Sequence, residues 1–385
     1  MRITWVTRSF LDYRVPVFAA LDKLCSHQLS VIYYKDIVPE RVRNRLASVL
    51  GDRAVALSGE IRLSGKKEAP ISTTKRKGFR IPFQPGLIEA IKKSNPDVLV
   101  TDGFFQWTYA ALWLRFWKKI PHVMCYEPTK HTERNTQWFR TLYRKIAAKL
   151  IDIICCNGSL CEEYTQSLGV KRNKITSGAM AADTAELAAR CKQIKNEIVM
   201  EFKEKNKWQS PVFLYVGRLV ELKGLSHLLK AWKVSAVNGT LVLVGDGPDR
   251  ADLEKYCMEN RLDNVKFCGA IDYDALPVYY KSADLFIIPT LQDNWSLVVP
   301  EAMACGLPIA CSIYNGCYPE LVKPENGWLF DPLEHNKTSE LLKDIVSQTE
   351  TFSAKGIASE EIVKNFSPEC AGNAIYHSCT LALKQ

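Results

Sequence analysis

Residues 211–224 read PVFLYVGRLVELKG, and this stretch decides the fold class. Five apolar residues, 212–216, form a short run typical of a buried strand, and a helix-length amphipathic pattern begins at Gly224. Two cations, Arg218 and Lys223, stand between the strand and the helix. Backbone N–H groups and the helix dipole favour anions at such a position, so the stretch suits a diphosphate. Taken alone, a surface salt bridge is the simpler explanation.

The same alternation of short apolar runs and amphipathic segments extends outward along the chain. In the first half it predicts strands at 3–6, 29–34, 97–101, 122–126 and 152–156, and helices at 14–24, 85–94, 106–118, 135–150 and 159–168. After an interruption at 179–210 it predicts strands at 212–216, 240–244, 265–267, 284–288, 308–311 and 327–330, and helices at 224–234, 249–260, 274–282, 299–305 and 338–349. This βαβ alternation implies two α/β domains, each a doubly wound parallel sheet.

Length and composition agree with two globular domains. The chain has 385 residues, of which 47% are hydrophobic and 24% charged, which excludes disordered and low-complexity classes. Its 13 cysteines include no C-x-x-C motif, so neither a disulfide framework nor a zinc site is indicated. We expect no signal peptide, no membrane-spanning segment and a reducing, cytoplasmic location.

Positive charge is concentrated in the first half of the chain. Residues 1–190 carry a net charge of +14 and residues 191–385 a net charge of −5, and residues 41–80 alone carry +8. Such a region fits an anionic membrane leaflet or a polyanionic acceptor, or it is a solvated surface loop. No helix-turn-helix, finger or RNP-like pattern supports nucleic acid as a partner.

Two further motifs follow strands of the second series. Gly245-Asp246-Gly247-Pro248 is a turn whose glycine spacing does not match the dinucleotide fingerprint. The more specific signal is Asp293 and Glu301, separated by seven residues across a loop that leads into a helix. The acids suit hydrogen bonds from sugar and ribose hydroxyls, and the N–H groups near 296–298 suit a phosphate. Alternatively, Asp293 starts the helix and Glu301 lies on a solvated face.

These three stretches, in this order, resemble the donor domain of retaining glycosyltransferases of family four. The resemblance is strong over residues 211–332, with the family's E-x7-E element on Asp293 and Glu301, where the first acid is shortened to aspartate. It implies the GT-B fold: two facing Rossmann-like doubly wound parallel-sheet domains with an interdomain cleft. The stretches at 13–18, 127–131 and 366–369 are also similar to the family. The implied domains are an acceptor domain, 1–185, to which the last helix, 366–385, returns, and a donor domain, 186–365.

The resemblance implies a retaining, hexosyltransferase-type enzyme that moves a sugar from a nucleotide-diphosphate sugar to a hydroxyl of a glycan or lipid-linked glycan acceptor. It also implies cell-envelope polysaccharide or lipopolysaccharide synthesis at the inner face of the cytoplasmic membrane, with peripheral contact through 41–80. No cofactor and no metal are expected, because cationic side chains replace a metal ion and the acids of Asp272-Tyr273-Asp274 stand just before a helix as caps.

The residues to which the resemblance and the motifs point fall into three groups. The catalytic candidates are Arg218, Lys223, Asp293 and Glu127. The donor-binding candidates are Gly217, Gly245, Asn294, Ser296, Leu297, Val298 and Glu301. The acceptor-binding candidates are Arg14 and His131, and for Glu127 and His131 a purely structural role stays open.

Two other functions remain compatible with these residues. A nucleotide-sugar epimerase of the same architecture would need no acceptor, and a degenerate scaffold subunit would not turn over. Incubation with donor alone separates the three, because only an epimerase converts the donor by itself.

Overall fold

A computed structural model describes residues 1–62, 82–104 and 107–385 of the chain. This part divides into two compact units, Met1–Ala181 together with Ser367–Gln385, and Ala182–Phe366. The chain therefore leaves the first unit four residues before the predicted 185/186 boundary and re-enters it one residue after the predicted 365/366 boundary.

The first unit is built on a seven-stranded parallel sheet. Its strands are β1 (Ile3–Thr7), β2 (Leu29–Tyr34), β3 (Ala54–Leu57), β6 (Val98–Asp102), β7 (His122–Tyr126), β8 (Ile153–Cys156) and β9 (Ile175–Ser177), and a separate short hairpin consists of β4 (Ile61–Arg62) and β5 (Pro82–Phe83). The order across the sheet is β3-β2-β1-β6-β7-β8-β9. The five predicted strands are present, and β3 and β9 extend the sheet at its two edges.

Seven helices in the described residues of this unit can be assigned. They are α1 (Arg14–Leu24), α2 (Glu40–Leu50), α3 (Leu87–Ser94), α4 (Thr108–Lys118), α5 (Trp138–Ala147), α6 (Ser159–Ser167) and α16 (Pro368–Ala382). Of these, α2 was not predicted, because its arginines hide an apolar stripe in which Val42, Leu46 and Leu50 are buried at intervals of four. The last helix, α16, packs on α1 so closely that a Cβ at Gly372 would lie 2.9 Å from the Cβ of Ala20.

The second unit is built on a six-stranded parallel sheet. Its strands are β10 (Val212–Val216), β11 (Thr240–Val244), β12 (Val265–Gly269), β13 (Leu285–Ile288), β14 (Ile309–Ser312) and β15 (Gly327–Phe330), in the order β12-β11-β10-β13-β14-β15. All six strands were predicted. The buried apolar runs that form them are the signature of strands covered on both faces.

Nine helices in the described chain belong to the second unit. They are α7 (Ala185–Gln193), α8 (Asn196–Lys205), α9 (Leu225–Ser235), α10 (Arg250–Glu259), α11 (Leu276–Ser282), α12 (Val298–Ala304), α13 (Tyr318–Leu321), α14 (His335–Ser347) and α15 (Phe352–Val363). The stretch 179–210, taken as an interruption, contains α7 and α8. Because α8 has no fully buried residue, its sequence lacks a clear apolar stripe.

Within residues 1–62, 82–104 and 107–385, no helix is long and apolar enough to cross a membrane.

Candidate functional site

The candidate donor site lies where the strand order of the second sheet reverses. From the central strand β10 the chain proceeds outward to β11 and β12 on one side, then returns to β13, β14 and β15 on the other. The carboxyl ends of β10 and its neighbours open a crevice at such a switch point. Four loops line this edge, and we call them the donor rim: 217–224, 245–249, 289–297 and 313–317.

Backbone hydrogen bonds lock the loops of the donor rim together. The Leu219 N–H donates to the Asp246 carbonyl at 3.0 Å, and the Leu291 N–H donates to the Leu222 carbonyl at 2.8 Å. Gly245 has φ +135°, and a Cβ there would lie 1.9 Å from the carbonyl oxygen of Gly217. Only glycine fits this close approach, so the turn read from the sequence sets the distance between two loops.

The two predicted phosphate-binding cations both lie on the donor rim, but within the described chain only Lys223 is ion-paired. The Lys223 Nζ donates to the Asp293 Oδ2 at 2.5 Å, and both side chains are half-buried. The Arg218 side chain is exposed, and in the described part of the chain its guanidinium has no hydrogen-bond or ion-pair partner. The rim thus combines a neutralised ammonium group with an open guanidinium group.

Asp293 also orders its own loop. Its Oδ1 accepts from the Trp295 N–H at 3.1 Å, and its Oδ2 accepts from the Ser296 hydroxyl at 2.6 Å. The helix α12 begins at Val298, five residues later, so Asp293 shapes the loop before the helix and is not the N-cap. The short aspartate side chain lets one carboxylate bond its own loop and Lys223 together.

Asn315 is a rim residue that the sequence analysis missed. It is fully buried, and its Oδ1 accepts from the Ser296 N–H at 3.4 Å, while the Gly316 N–H donates to the Asp293 carbonyl at 2.9 Å. The signal was an Asn-Gly pair that begins four residues after the predicted strand 308–311, which is typical of a turn at a sheet edge. Among the described residues, the Asn315 Nδ2 and the Asn294 Oδ1 are buried without a hydrogen-bond partner.

Glu301 lies in the first turn of α12 and faces α11. Its Oε2 accepts from the Tyr280 hydroxyl at 3.0 Å, and burial raises the pKa of Glu301 to about 7. Within the described chain Glu301 makes no hydrogen bond with Lys223 or Asp293. The two acids of the motif therefore have different partners: Asp293, before α12, pairs with Lys223, and Glu301, within α12, accepts from Tyr280.

The remaining predicted donor residues stand on the rim around these groups. Gly217 and Gly245 directly follow β10 and β11, while Asn294, Ser296, Leu297 and Val298 form the approach to α12 and its first residue. Leu297 and Val298 are half-buried and Ser296 is buried. The structure brings all of them to the carboxyl edge of one sheet.

The first unit has an equivalent edge, where Arg14 is only 3% exposed. Its NH2 lies 3.2 Å from the Glu127 Oε1 and 3.5 Å from the Asp102 Oδ1, and its NH1 donates to the Ala179 carbonyl at 3.0 Å. Burial alone would lower the pKa of Arg14, but Asp102, Tyr13 and Glu127 outweigh it and hold the pKa above its usual value. Arg14 is thus enclosed by its partners, while the Glu127 side chain stays 34% exposed.

Asp102 was not singled out from the sequence. It ends β6, between β1 and β7, and its Oδ2 accepts from the Trp5 indole N–H at 3.0 Å. Its position directly after the predicted parallel strand 97–101 was the available signal.

His131 lies in the loop that follows β7. Its carbonyl accepts from the Arg134 guanidinium at 2.6 Å, and its side chain is half-buried. Buried Arg144 of α5 fixes this loop, because it donates to Glu133 at 2.7 Å and to the Tyr164 hydroxyl at 2.8 Å.

The acids of the Asp-x-Asp sequence lie elsewhere in the second unit. Asp272 precedes a short helical turn, and exposed Asp274 accepts from the Arg190 guanidinium at 2.6 Å. In the parts of the chain that the structure describes, no three His, Cys, Asp or Glu side chains form a group suited to a metal ion.

Two family models match the chain, one for each unit. Residues 28–177 match Glycosyltransferase Family 4, and residues 198–358 match Glycosyl transferases group 1. The sulfoquinovosyl transferase of Arabidopsis thaliana is 25% identical over 319 residues, which cover 79% of this chain and 60% of that protein. A phosphatidylinositol monomannoside mannosyltransferase of Corynebacterium glutamicum, GDP-mannose-dependent, is 28% identical over 165 residues, 40% of this chain and 43% of that protein.

A solved structure extends the likeness over the whole chain. The Anabaena HepE protein in complex with UDP has a TM-score of 0.73 and 15% identity, and the match covers 99% of this chain and 100% of that one. The chain spans less than two thirds of the length of the two curated relatives. The matches of both halves, the two parallel sheets and the fold likeness together confirm the predicted fold and family: the chain belongs to the glycosyltransferases of the family four type and has the GT-B fold.

Proposed function

We propose that the chain transfers a sugar from a nucleotide-diphosphate donor to a hydroxyl group of an acceptor, with retention at the anomeric carbon. The observation that carries the proposal is the donor rim, where exposed Arg218 stands in the same loop as Lys223 and Lys223 pairs with Asp293. The relative solved with UDP supports a nucleotide-bound donor, and the transferase relatives support the reaction class.

Donor binding then replaces Asp293 by the diphosphate as the partner of Lys223. Arg218 donates to the diphosphate in a bidentate manner, and Lys223 turns from the single charge of Asp293 to the greater charge of the diphosphate. At about 4 Å and an effective dielectric constant of about 20, one such contact is worth about 4 kcal/mol. The released Asp293 carboxylate accepts a hydrogen bond from a sugar hydroxyl, and Glu301 accepts one from the ribose.

The chemical step depends on stabilisation of the leaving group. The bond from the anomeric carbon to the phosphate oxygen breaks, and the acceptor oxygen forms the new bond on the same face. The acceptor proton passes to the departing phosphate oxygen, so no carboxylate base is required. Arg218 and Lys223 stabilise the charge that develops on that oxygen, and we propose that they take the place of a metal ion and that no cofactor takes part.

On the acceptor side we propose that half-buried Glu127, and His131 four residues later in the chain, orient the acceptor hydroxyl. Arg14 is enclosed by Asp102 and Glu127, so its part is to position the Glu127 carboxylate. We propose an envelope glycan or a lipid-linked glycan as the acceptor, which agrees with the phosphatidylinositol monomannoside mannosyltransferase among the relatives and with the positive charge of residues 1–190.

Nucleotide binding tests the proposal directly. Thermal unfolding with UDP, GDP and ADP, each alone and as its sugar derivative, should single out one base, since a ligand at 100 times its Kd adds about 2.7 kcal/mol of stability. The Arg218→Ala variant should lose this shift, and Lys255→Ala, an exposed lysine on α10, should keep it. A chain stabilised by no nucleotide would overturn the proposal.

Turnover with the selected donor then separates the reaction classes. A transferase consumes little donor until an acceptor is added, and the new linkage keeps the anomeric configuration of the donor. Conversion of the donor alone to a second nucleotide sugar would assign an epimerase, and binding without any turnover would assign a scaffold.

A further inference from the structure

Helix α5 presents its large apolar side chains to solvent. Trp138, Leu142 and Ile146 recur at intervals of four and so share one side of the helix, and all three are exposed, Trp138 to 77%. The opposite side is closed by Ala147 and by Arg144, which is 5% exposed. This arrangement reverses the usual amphipathic pattern of a surface helix, in which apolar residues face the core.

Helix α4 continues the same surface. Its Trp113, Phe116 and Trp117 are exposed, Trp117 to 65%. The two helices are neighbours, because Leu112 of α4 and Tyr143 of α5 pack against one core cluster. Together these exposed residues form what we call the apolar face: Trp113, Phe116, Trp117, Trp138, Leu142 and Ile146.

The surroundings of the apolar face are positively charged. Residues 108–119 and 138–149 contain seven Lys and Arg and no Asp or Glu. Two of the seven point inward to acids, Arg115 to Asp152 at 2.7 Å and Arg144 to Glu133 at 2.7 Å. Exposed lysines edge the face, and two of them lie over its rings at 5.7 Å, Lys119 over Phe116 and Lys92 over Trp113.

We propose that the apolar face docks on the surface of an anionic lipid bilayer. Tryptophans favour the layer between headgroups and acyl chains, and lysines beside them extend their ammonium groups to anionic headgroups. Two helices with an apolar side, a cationic edge and no acid match the composition of segments that lie in this layer. The inference does not depend on the proposed function, since it concerns binding of the chain without turnover.

Charge argues against the other occupants of this surface. Lysine is depleted in protein–protein interfaces, whereas here lysines edge the apolar face throughout. A two-fold contact with a second copy would place these lysines opposite one another, and such a juxtaposition of like charges is unfavourable.

This surface differs from the membrane contact expected at 41–80. Residues 63–80 lie outside the described residues. In the described part, Arg41 contacts Asp12 at 2.5 Å and Arg53 pairs with Asp22, so two of these cations already have acidic partners.

Vesicle flotation of the full chain tests the proposal. We expect binding to phosphatidylcholine vesicles that contain phosphatidylglycerol, weaker binding to phosphatidylcholine alone, and release by added salt. The variant W138S/L142Q/I146Q should lower the bound fraction about tenfold, because it removes the inserted side chains. The matched control M200Q/M258Q/I357Q changes three equally exposed apolar residues of the second unit and should bind as the parent does.

Thermal unfolding, a lysine variant and sedimentation distinguish loss of membrane binding from loss of folding. Both triple variants should unfold at the parent temperature, and if the first does not, W138S alone replaces it. The pair K145Q/K149Q should reduce binding to anionic vesicles only. Unchanged flotation of W138S/L142Q/I146Q, absence of flotation of the parent, or a dimer in sedimentation that this variant dissolves would each overturn the proposal. Nucleotide-induced stabilisation should be the same in all of these variants, so failure here is distinct from failure of the proposed function.

Discussion

The two sheets share one strand order at their centres but differ in how charge is balanced at the reversal point. In the first unit, buried Arg14 faces two carboxylates, Asp102 and Glu127. In the second unit, Lys223 faces the single carboxylate of Asp293, and Arg218 is exposed. The cation of the first edge is therefore enclosed by acids, whereas the second edge keeps one cation exposed beside an ion pair.

This difference shows what the topology decides and what it leaves to the side chains. The strand order creates a crevice in both units, because successive connections leave the central strand in opposite directions. A cation enclosed by acids within the crevice stabilises the folded loops of that edge. An exposed cation, in contrast, is available to bind an anionic ligand.

The largest effect is expected on the stability of the first unit. Arg14→Ala leaves the Asp102 and Glu127 carboxylates without their buried counter-charge and should lower the free energy of unfolding by about 4 kcal/mol. Arg218→Ala should change it by less than about 0.5 kcal/mol, since that side chain is exposed. Urea unfolding of both variants measures the difference, and equal losses would remove the distinction between the two edges.

The next effect concerns catalysis in the second unit. Arg218→Ala and Lys223→Ala should each lower kcat by roughly a hundred- to a thousandfold, or about 3 to 4 kcal/mol of transition-state stabilisation. Lys255→Ala serves as the matched surface control. Initial rates at saturating donor measure the loss, and losses below about fivefold in both variants would refute their roles.

A smaller effect follows from the pKa of Glu301, which burial raises to about 7. The folded chain holds this proton to higher pH than the unfolded chain does, so the associated stability is full below the ordinary value of 4.5 and is lost as the pH rises through about 7. Relative to Glu301→Gln, the parent should lose roughly 2 kcal/mol of unfolding free energy between about pH 5 and pH 8.

Nucleotide binding gives this prediction a second readout. Only the carboxylate form of Glu301 accepts a hydrogen bond without also donating one, so affinity for the nucleotide should rise over the same range. Calorimetric titration at several pH values measures this, and a pH dependence that persists in Glu301→Gln would assign it to another group.

The smallest effect is expected at Glu127 in the first unit. Glu127→Gln keeps the size of the side chain and should lower kcat by about tenfold or less, because the departing phosphate oxygen takes the acceptor proton. The pH profile of kcat/KM should keep its shape. A shifted profile with a larger loss would make Glu127 a proton acceptor, and an unchanged rate would leave it a structural role only.

The repeating pattern of the sequence predicted most of the fold. The strands Leu29–Tyr34, His122–Tyr126 and Val212–Val216 have their predicted bounds, because buried parallel strands are short apolar runs with polar residues at both ends. The helix α2 was not predicted because its arginines made 41–80 look like a charged surface region. The helix α8 was not predicted because none of its residues is fully buried.

The candidate site was predictable in its parts but not in its pairings. The sequence pointed to Arg218, Lys223, Asp293 and Glu301 from their places after strands, and these roles stay predictions. The direct Lys223–Asp293 bond and the support from Asn315 depend on loops that are far apart in sequence and adjacent in the sheet. A single sequence carries no signal for such pairs, since tertiary packing alone selects them.

The position of α16 bears on the order in which the protein is made. Ala371, Ile375, Cys379 and Ala382 belong to the same core as β1 and α1, although nearly two hundred residues of the other unit are translated between them. The core of the first unit is therefore complete only after residues 367–385 have been translated, whereas all residues of the contiguous unit, 182–366, are translated earlier. A recombinant N-terminal half that stops at residue 181 would expose the core residues that α16 covers. Joining 367–385 to it by a short linker should restore a soluble product.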